Sequence, residues 1–458
     1  METDASWSPA IRAPKARRPP AMDRMNRRRF LLGSAVGMAG VAAASGCAHL
    51  RSPAASTAGG LTGADEAFLE DLSATTFRYF REAAHPRTGQ VLDRRRADGR
   101  PDSRRVASIA ATGFGLTALC IADRRRWLRS DQAREQVRKA LHHLRHQVPH
   151  VRGFLYHFHD WENGERIWNC ELSPIDTTLL LCGALACRNH FADVEIRRLA
   201  TELYERVEWP WMLNGGATFS MGWSPEKGFL DNRWDHYCEL MMLYLVALGS
   251  PTHPIPASAW RAWSRPRREH YGERFVWSPA PLFVHQFSHA WFDFRGWNDA
   301  GVDWFANSVA ATRAHLAWSL DRRSRFPLWS EDLWGVTSSD SEHGYTGWGG
   351  PPDSGPLDGT IVPCAAAGSL PFLPAECLRT LRFQRKRHGD RVWQRYGFVD
   401  AFNPHTGWVN PDTIGIDAGI TLLMAENLRS GFVWDLMRRD PDLARGLARA
   451  GGQPARRN

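Results

Sequence analysis

Along residues 65–84, apolar side chains fall at Phe68, Leu69, Leu72, Tyr79 and Phe80, with Thr75 and Thr76 between them. Their i, i+3, i+4, i+7 spacing is that of one helix face. Similar runs predict helices over 65–84, 107–123, 131–147, 174–190, 193–207, 233–248, 256–263, 285–293, 300–322, 360–369, 374–388, 417–429 and 431–448. In 131–147 the stripe is Val137, Ala140, Leu141 and Leu144, with Arg and His opposite. The segments 107–123, 174–190, 233–248 and 417–429 are apolar nearly all round, which predicts burial. Ser173 and Pro174 suit an N-cap and a first helical position, and Asp299 stands where 300–322 needs a cap. Alternation of period two is scarce.

The connections are of two kinds. Some are short, as at 191–193. Others (149–173, 208–232, 264–284, 324–359 and 391–416) are long and rich in Trp, Gly and His. Long irregular loops in a compact domain are usually functional. About twelve helices with long loops gathered at one end predict an all-α fold of the (α/α)6 toroid type. No Pro/Ser/Gly linker divides the chain after residue 65, so one domain is expected over 65–445. A basic disordered tail is expected over 446–458.

The 458 residues are 43% hydrophobic and 23% charged, which excludes a disordered, collagenous or disulfide-knot chain. No apolar run after residue 50 reaches the roughly 18 residues of a membrane span. Of the formal charge of +9, +5 lies in residues 1–47. No basic stripe with interleaved aromatics remains, so no nucleic-acid partner is expected. The 21 Trp exceed what core filling needs. An indole is a good surface for the C–H face of a sugar ring.

Arg27-Arg28 opens a twin-arginine pattern, Asn26 to Leu32, followed by the apolar stretch Phe30–Ala44. That stretch is too short to span a bilayer and suits a signal peptide. Met25 is the expected start codon. Ala44-Ser45-Gly46-Cys47 resembles a lipoprotein cleavage site with Cys47 as the acylated residue, though Ala44 replaces the usual Leu. Residues 1–47 are thus expected to direct export to the periplasm or outer membrane, with the lipid anchor as the only membrane contact and 48–64 as a tether. The other cysteines (120, 170, 182, 187, 238, 364 and 377) sit in apolar patterns and form no CxxC pair, so most are expected as small core residues.

Gly113, Gly115 and Ala118 match GxGxxA, but no strand precedes them and no acid follows at the right distance. They are expected to let two helices approach. His285 and His289 have HxxxH spacing, yet Gln286 stands where a zincin needs Glu. They, with His157 and His159, are expected to hydrogen-bond sugar hydroxyls or neighbouring backbone rather than hold a metal, and no cofactor is implied. The informative residues are acids beside Trp and Gly. Glu171 ends a loop after Trp168. Asp176 lies in the first turn of an apolar helix. Asp235 and Glu239, after Trp234, are expected one turn apart on another, and Asp417 begins a third. Trp334, Trp348 and Trp408 lie in loops expected to border the same mouth. An acid at a helix start also favours the macrodipole, but that does not explain several heading apolar helices beside Trp-rich loops. Two carboxylates flanking a glycosidic bond are the minimal machinery for its hydrolysis.

The segments SIAATGFGLTAL (108–119), ELSPIDTTLLLCGAL (171–185), WMLNGG (211–216), HYCELMMLYLVALGSPTHPIP (236–256), PLFVHQFSHAWFDFRG (281–296), SSDSEHGYTGWGGPP (338–352), GTIVPCAAAGSLPFLP (359–374) and YGFVDAFNPHTGWVNPDTIGIDAGITLLMAENLR (396–429) resemble the bacterial glycoamylase family. That family includes endo-β-1,2-glucanases and is similar to the cyclising domain of cyclic β-1,2-glucan synthases. The resemblance covers about 67–440. It implies an (α/α)6 barrel, no obligatory metal and mostly inverting hydrolysis of β-1,2-glucan. It places the general acid on Glu239, the base on Asp417 and a third acid on Asp176. The family's acid three residues before the third falls on Ser173, a departure that leaves Glu171 to take its role. Rival readings are an exo-acting glucoamylase-like glucosidase, a polysaccharide lyase using Arg233, His236 and Tyr237, and a glycan-binding lipoprotein without catalysis.

Overall fold

The computed structural model describes residues 60–279, 281–451 and 453–454. The twin-arginine segment and Cys47 lie outside them. Among the described residues, the helices of five residues or more are α1 (Gly63–Glu82), α2 (Ile109–Arg125), α3 (Ser130–His146), α4 (Pro174–His190), α5 (Val194–Glu205), α6 (Leu240–Gly249), α7 (Phe287–Trp291), α8 (Trp304–Asp321), α9 (Pro363–Ala367), α10 (Pro374–His388), α11 (Gly415–Ser430), α12 (Phe432–Arg438) and α13 (Pro441–Ala450).

Hydrophobic pattern sorts them into two sets. Every residue of α2 from Ile109 to Ala122, of α4 from Pro174 to Cys187, of α11 from Gly415 to Asn427, and all of α6, α7 and α9 is buried. By contrast α3 buries only the stripe Ala133, Val137, Ala140, Leu141, His143 and Leu144. The buried set packs in succession: α2 on α4, α4 on α6, α6 on α7, α7 on α11, and α11 back on α2. Gln286, just before α7, donates to the Ala365 carbonyl of α9 (2.8 Å), and α9 packs on α11. The one-sided helices cover this set from outside, α1 on α11, α3 on α2, α5 on α4, α13 on α6 and α10 on α9.

The GxGxxA glycines serve the approach expected of them. A Cβ on Gly113 would stand 2.3 Å from the Leu179 carbonyl oxygen, and one on Gly183 would stand 2.1 Å from the Gly113 oxygen. Helices α2 and α11 also run the same way. Gly415 and Gly419 of α11 lie against Ala111 and Phe114 of α2 in that order. The Ile109 N–H bonds to the His157 carbonyl, and Ser173, the cap of α4, bonds through its N–H to the Leu155 carbonyl (3.1 Å). The starts of α2 and α4 therefore meet the same short segment.

The long connections contain ladders that alternation does not reveal, because strands of two to four residues are too short to alternate visibly. They pair 94–96 with 412–414, 106–108 with 158–160, 219–220 with 233–234, and 338–341 with 344–347, all antiparallel. They rim the N-terminal ends of the inner helices, so the molecule is helix-rich but not purely α.

Five expectations are corrected. The segment 233–248 is a helix only from Leu240, since Arg233 and Trp234 belong to a strand. The segment 431–448 breaks where Asp440 caps α13 ahead of Pro441, and α13 runs through residues 446–450, expected in the tail. Thr62 caps α1, whose first residues were expected in the tether. Asp299 does not cap α8. Asp303 does, accepting from the Ala306 N–H (2.9 Å), while buried Asp299 accepts from Trp260 Nε1 (2.7 Å) and pairs with Arg261.

Candidate active site

Ser173 caps α4 with Pro174 at its first position, which places Asp176 in the first turn. The Asp176 N–H donates to Ser173 Oγ (3.2 Å), and Ser173 Oγ donates to Asp176 Oδ2 (2.5 Å). Glu171 reaches the same place from the loop. His157 Nδ1 stands 3.5 Å from Asp176 Oδ2 and 3.7 Å from Glu171 Oε1. All three are buried. The Leu172 backbone pairs with that of Trp223, which brings a half-buried indole beside Glu171. The structure thus brings Glu171 and Asp176 to the same histidine.

Glu239 immediately precedes α6 and is buried. Its carbonyl accepts from Ser288 Oγ of α7 (2.9 Å), and Ser288 Oγ in turn accepts from the Met242 N–H (3.1 Å). Beside it, the Cys238 thiol is pushed up by burial first and then by the Glu239 carboxylate. Tyr237, one residue further back, stacks on Trp304 and bonds to His285 Nδ1 (3.0 Å).

Asp417 sits in the first turn of α11, launched from the strand 412–414. Its neighbour Asp400 is buried, and its carboxyl is pushed well up, first by burial, then by the charges of Asp417 and Asp340, with a hydrogen bond to the Asp417 side chain. Sequence reasoning missed Asp400, Asp340 and Arg94. The first two lie in segments that resemble the family, but nothing in spacing alone set them apart.

The acids Asp176, Glu239 and Asp417 therefore each stand at the start of an inner helix. There the unsatisfied N–H groups and the positive end of the macrodipole favour negative charge.

The remaining sequence candidates divide. Trp168 is 52% exposed on a left-handed turn with Asn169, packed edge-on against Phe158, whose ring stacks on His157 at 3.8 Å. Trp408 and Asp235 are half-buried, and Asp235 bonds to the exposed His236 rather than standing one helical turn from Glu239. Trp234, Trp334 and Trp348 are core side chains, and Trp348 donates to Ser339 Oγ (2.8 Å). His159 and His289 are wholly buried against Gln90 and Ser308. They have no surface for a sugar, which corrects the expectation. His285 is buried too, and its Nδ1 bonds to the Tyr237 hydroxyl (3.0 Å). Most of the surplus Trp is core too, including Trp209, Trp260, Trp263, Trp291, Trp304, Trp318, Trp329 and Trp434. The described cysteines are buried thiols and not disulfides.

The family model described as "Putative glucoamylase" (glycoamylase) matches residues 231–441. A solved Bacteroides uniformis structure of the same description is 28% identical, with a TM-score of 0.80, over 87% of this chain and 99% of that one. An endo-β-1,2-glucanase of Chitinophaga pinensis, solved with sophorotriose and glucose, is 25% identical, with a TM-score of 0.80, over 85% of this chain and 98% of that one. The exo β-1,2-glucooligosaccharide sophorohydrolase of Parabacteroides distasonis is 26% identical over 427 residues, 84% of this chain. The match spans only 57% of that relative's length.

Proposed function

We propose that this chain, a glycoamylase-family protein by its match and its fold, is an exported glycoside hydrolase that cuts β-1,2-glucan within the chain, inside an (α/α)6 toroid. The observation that carries the reading is the placement of Glu239 and Asp417 at the starts of two inner helices that α7 bridges, within a rim of hairpins. The substrates named for the relatives support the linkage.

In this reading Glu239, buried beside Cys238, protonates the glycosidic oxygen as the bond to the anomeric carbon breaks. Asp417 takes a proton from the water that attacks that carbon from the opposite face, so the anomer inverts. Glu171, Asp176 and His157 line the neighbouring wall and hold sugar hydroxyls, and Trp168 offers a ring face at the rim. Export follows the twin-arginine route, and acylation of Cys47 anchors the protein in the periplasm or outer membrane.

Product analysis of the purified protein on linear β-1,2-glucan, cyclic β-1,2-glucan, β-1,3-glucan, starch and a uronate polymer tests this. Short β-1,2 oligomers of several lengths from the linear glucan are expected. Disaccharide alone would replace endo with exo action. Glucose from starch, or an unsaturated uronate product, would overturn the reading. Glu239→Gln should still bind glucan while turnover falls by about 10³-fold, in the range of a lost acid or base.

A further inference from the structure

Resting on Asp417 as the base, we propose that Asp400 is its positioning residue. Asp400 keeps the one proton of a buried carboxyl pair and donates it to Asp417, which holds Asp417 ionised and aimed.

The geometry fixes which oxygen does this. The Asp400 N–H donates to the Asp412 carbonyl (3.0 Å), so Asp400 is clamped to the strand that launches Asp417. Asp400 Oδ2 accepts twice, from the Asp340 N–H (2.9 Å) and from Asn410 Nδ2 (2.6 Å). Asp400 Oδ1 is buried and no N–H or O–H donor among the described residues reaches it. The Asp400 side chain is in hydrogen-bond contact with that of Asp417, and with Oδ2 taken twice, Oδ1 is the oxygen left for it. Two carboxyl groups in hydrogen-bond contact need a proton between them, because like charges at that distance cannot both persist in a dry site.

The surroundings place that proton on Asp400. The charged groups here are Asp93, Arg94, Asp340 and Asp417. Arg94 is engaged by Asp93 Oδ2 (3.1 Å) and Asp340 Oδ2 (2.5 Å), and Asn410 Nδ2 also reaches Asp340 (3.2 Å). The cation is thus held by two other carboxylates, and Asp400 faces a third. Asp417 has the N-terminus of α11 behind its charge, whereas Asp400 has none. Burial and the two neighbouring carboxylates push Asp400 up in the same sense.

The test uses the full protein and the variants Asp400→Asn, Asp400→Leu and Asp417→Asn. An Asn side chain reproduces the protonated acid: its oxygen accepts from Asp340 and Asn410, and its amide donates to Asp417. Asp400→Asn should keep kcat within about threefold, whereas Asp400→Leu should lose about 100-fold, the scale of a misaimed group. In Asp400→Leu the acidic limb of kcat/KM should move up by about one pH unit, because a buried carboxylate without its donor ionises later. An infrared difference spectrum at neutral pH, wild type minus Asp400→Asn, should show one protonated carboxyl whether or not the Leu variant folds. Loss of activity in Asp400→Asn equal to that in Asp400→Leu, or no carboxyl band, would overturn the proposal. Full activity in Asp417→Asn would instead overturn the base assignment on which it rests.

Discussion

Ser173 and Asp176 hold each other: the hydroxyl donates to the carboxylate over 2.5 Å, and the Asp176 N–H donates back over 3.2 Å. One serine therefore both caps α4 and fixes the rotamer of an acid that faces His157. Ser173→Ala should cost about 1 kcal/mol of stability, as for other caps. It should also lower kcat/KM more than that loss explains, because Asp176 is freed to turn. Ser173→Thr should restore both. Melting curves read beside kinetics decide it, and an Ala variant with unchanged kcat/KM would remove Asp176 from the site.

Gly183 tests the packing on which the site rests. Alanine gains about 1 kcal/mol over glycine in a helix interior, so propensity alone predicts stabilisation. The new Cβ would lie 2.1 Å from the Gly113 oxygen, a backbone atom that cannot swing away. Forcing α2 and α4 apart costs about 1–3 kcal/mol or more, so Gly183→Ala should be destabilising by denaturant titration. It should lower activity as well, since α4 carries Asp176. A more stable variant would mean that the two helices slide at little cost.

Trp168→Ala should act on substrate length. A ring face covering about 40 Å² of apolar sugar surface contributes about 1 kcal/mol, several-fold in KM. The loss should appear with long glucan and vanish with the shortest oligomer that is cleaved. Equal losses for all lengths would place Trp168 in the fold rather than at the rim.

Much of this was legible in the chain because the inner helices are apolar on every side. The spans 174–190 and 374–388 have the predicted bounds, and each begins with proline, which fixes its start. Arg233 to Glu239 misled for a physical reason. The run Tyr237-Cys238 continues the apolar character of α6, yet Trp234 pairs with Phe219, a tertiary contact that no local pattern announces. Asp299 looked like a cap because it precedes the helix, but Asp303 is nearer and Asp299 belongs to Trp260 and Arg261. The tryptophans were half read: their number predicted platforms, but a packed indole core consumed most of them. The pairing of Asp400 with Asp417 depends on the Asp400 N–H meeting the Asp412 carbonyl just before α11, which only the folded chain displays.

Four histidines make the fold acid-sensitive. His159, His285, His289 and His315 are buried, and burial pushes each down to about 3. In the unfolded chain each takes a proton near pH 6.5. Above that value both states are neutral and the histidines contribute nothing to pH dependence. As pH falls from 6.5 towards 3 the unfolded state binds protons that the folded state refuses, so stability drops. The slope approaches about 1.4 kcal/mol per pH unit for each histidine fully engaged. Asp400 acts in the opposite sense: its raised folded value means that the folded state holds a proton the unfolded state releases above about pH 4. It is one group against four, so the net slope keeps the histidines' sign. The melting temperature should fall steeply as pH drops from about 6.5 to about 5, whereas near neutral pH and above only the weaker, opposite slope of Asp400 remains. His315→Gln should flatten that fall, because His315 Nε2 only accepts from the Val336 N–H (3.2 Å) and an amide oxygen can replace it. A melting temperature that holds level to pH 5 would show that these rings are protonated inside the fold.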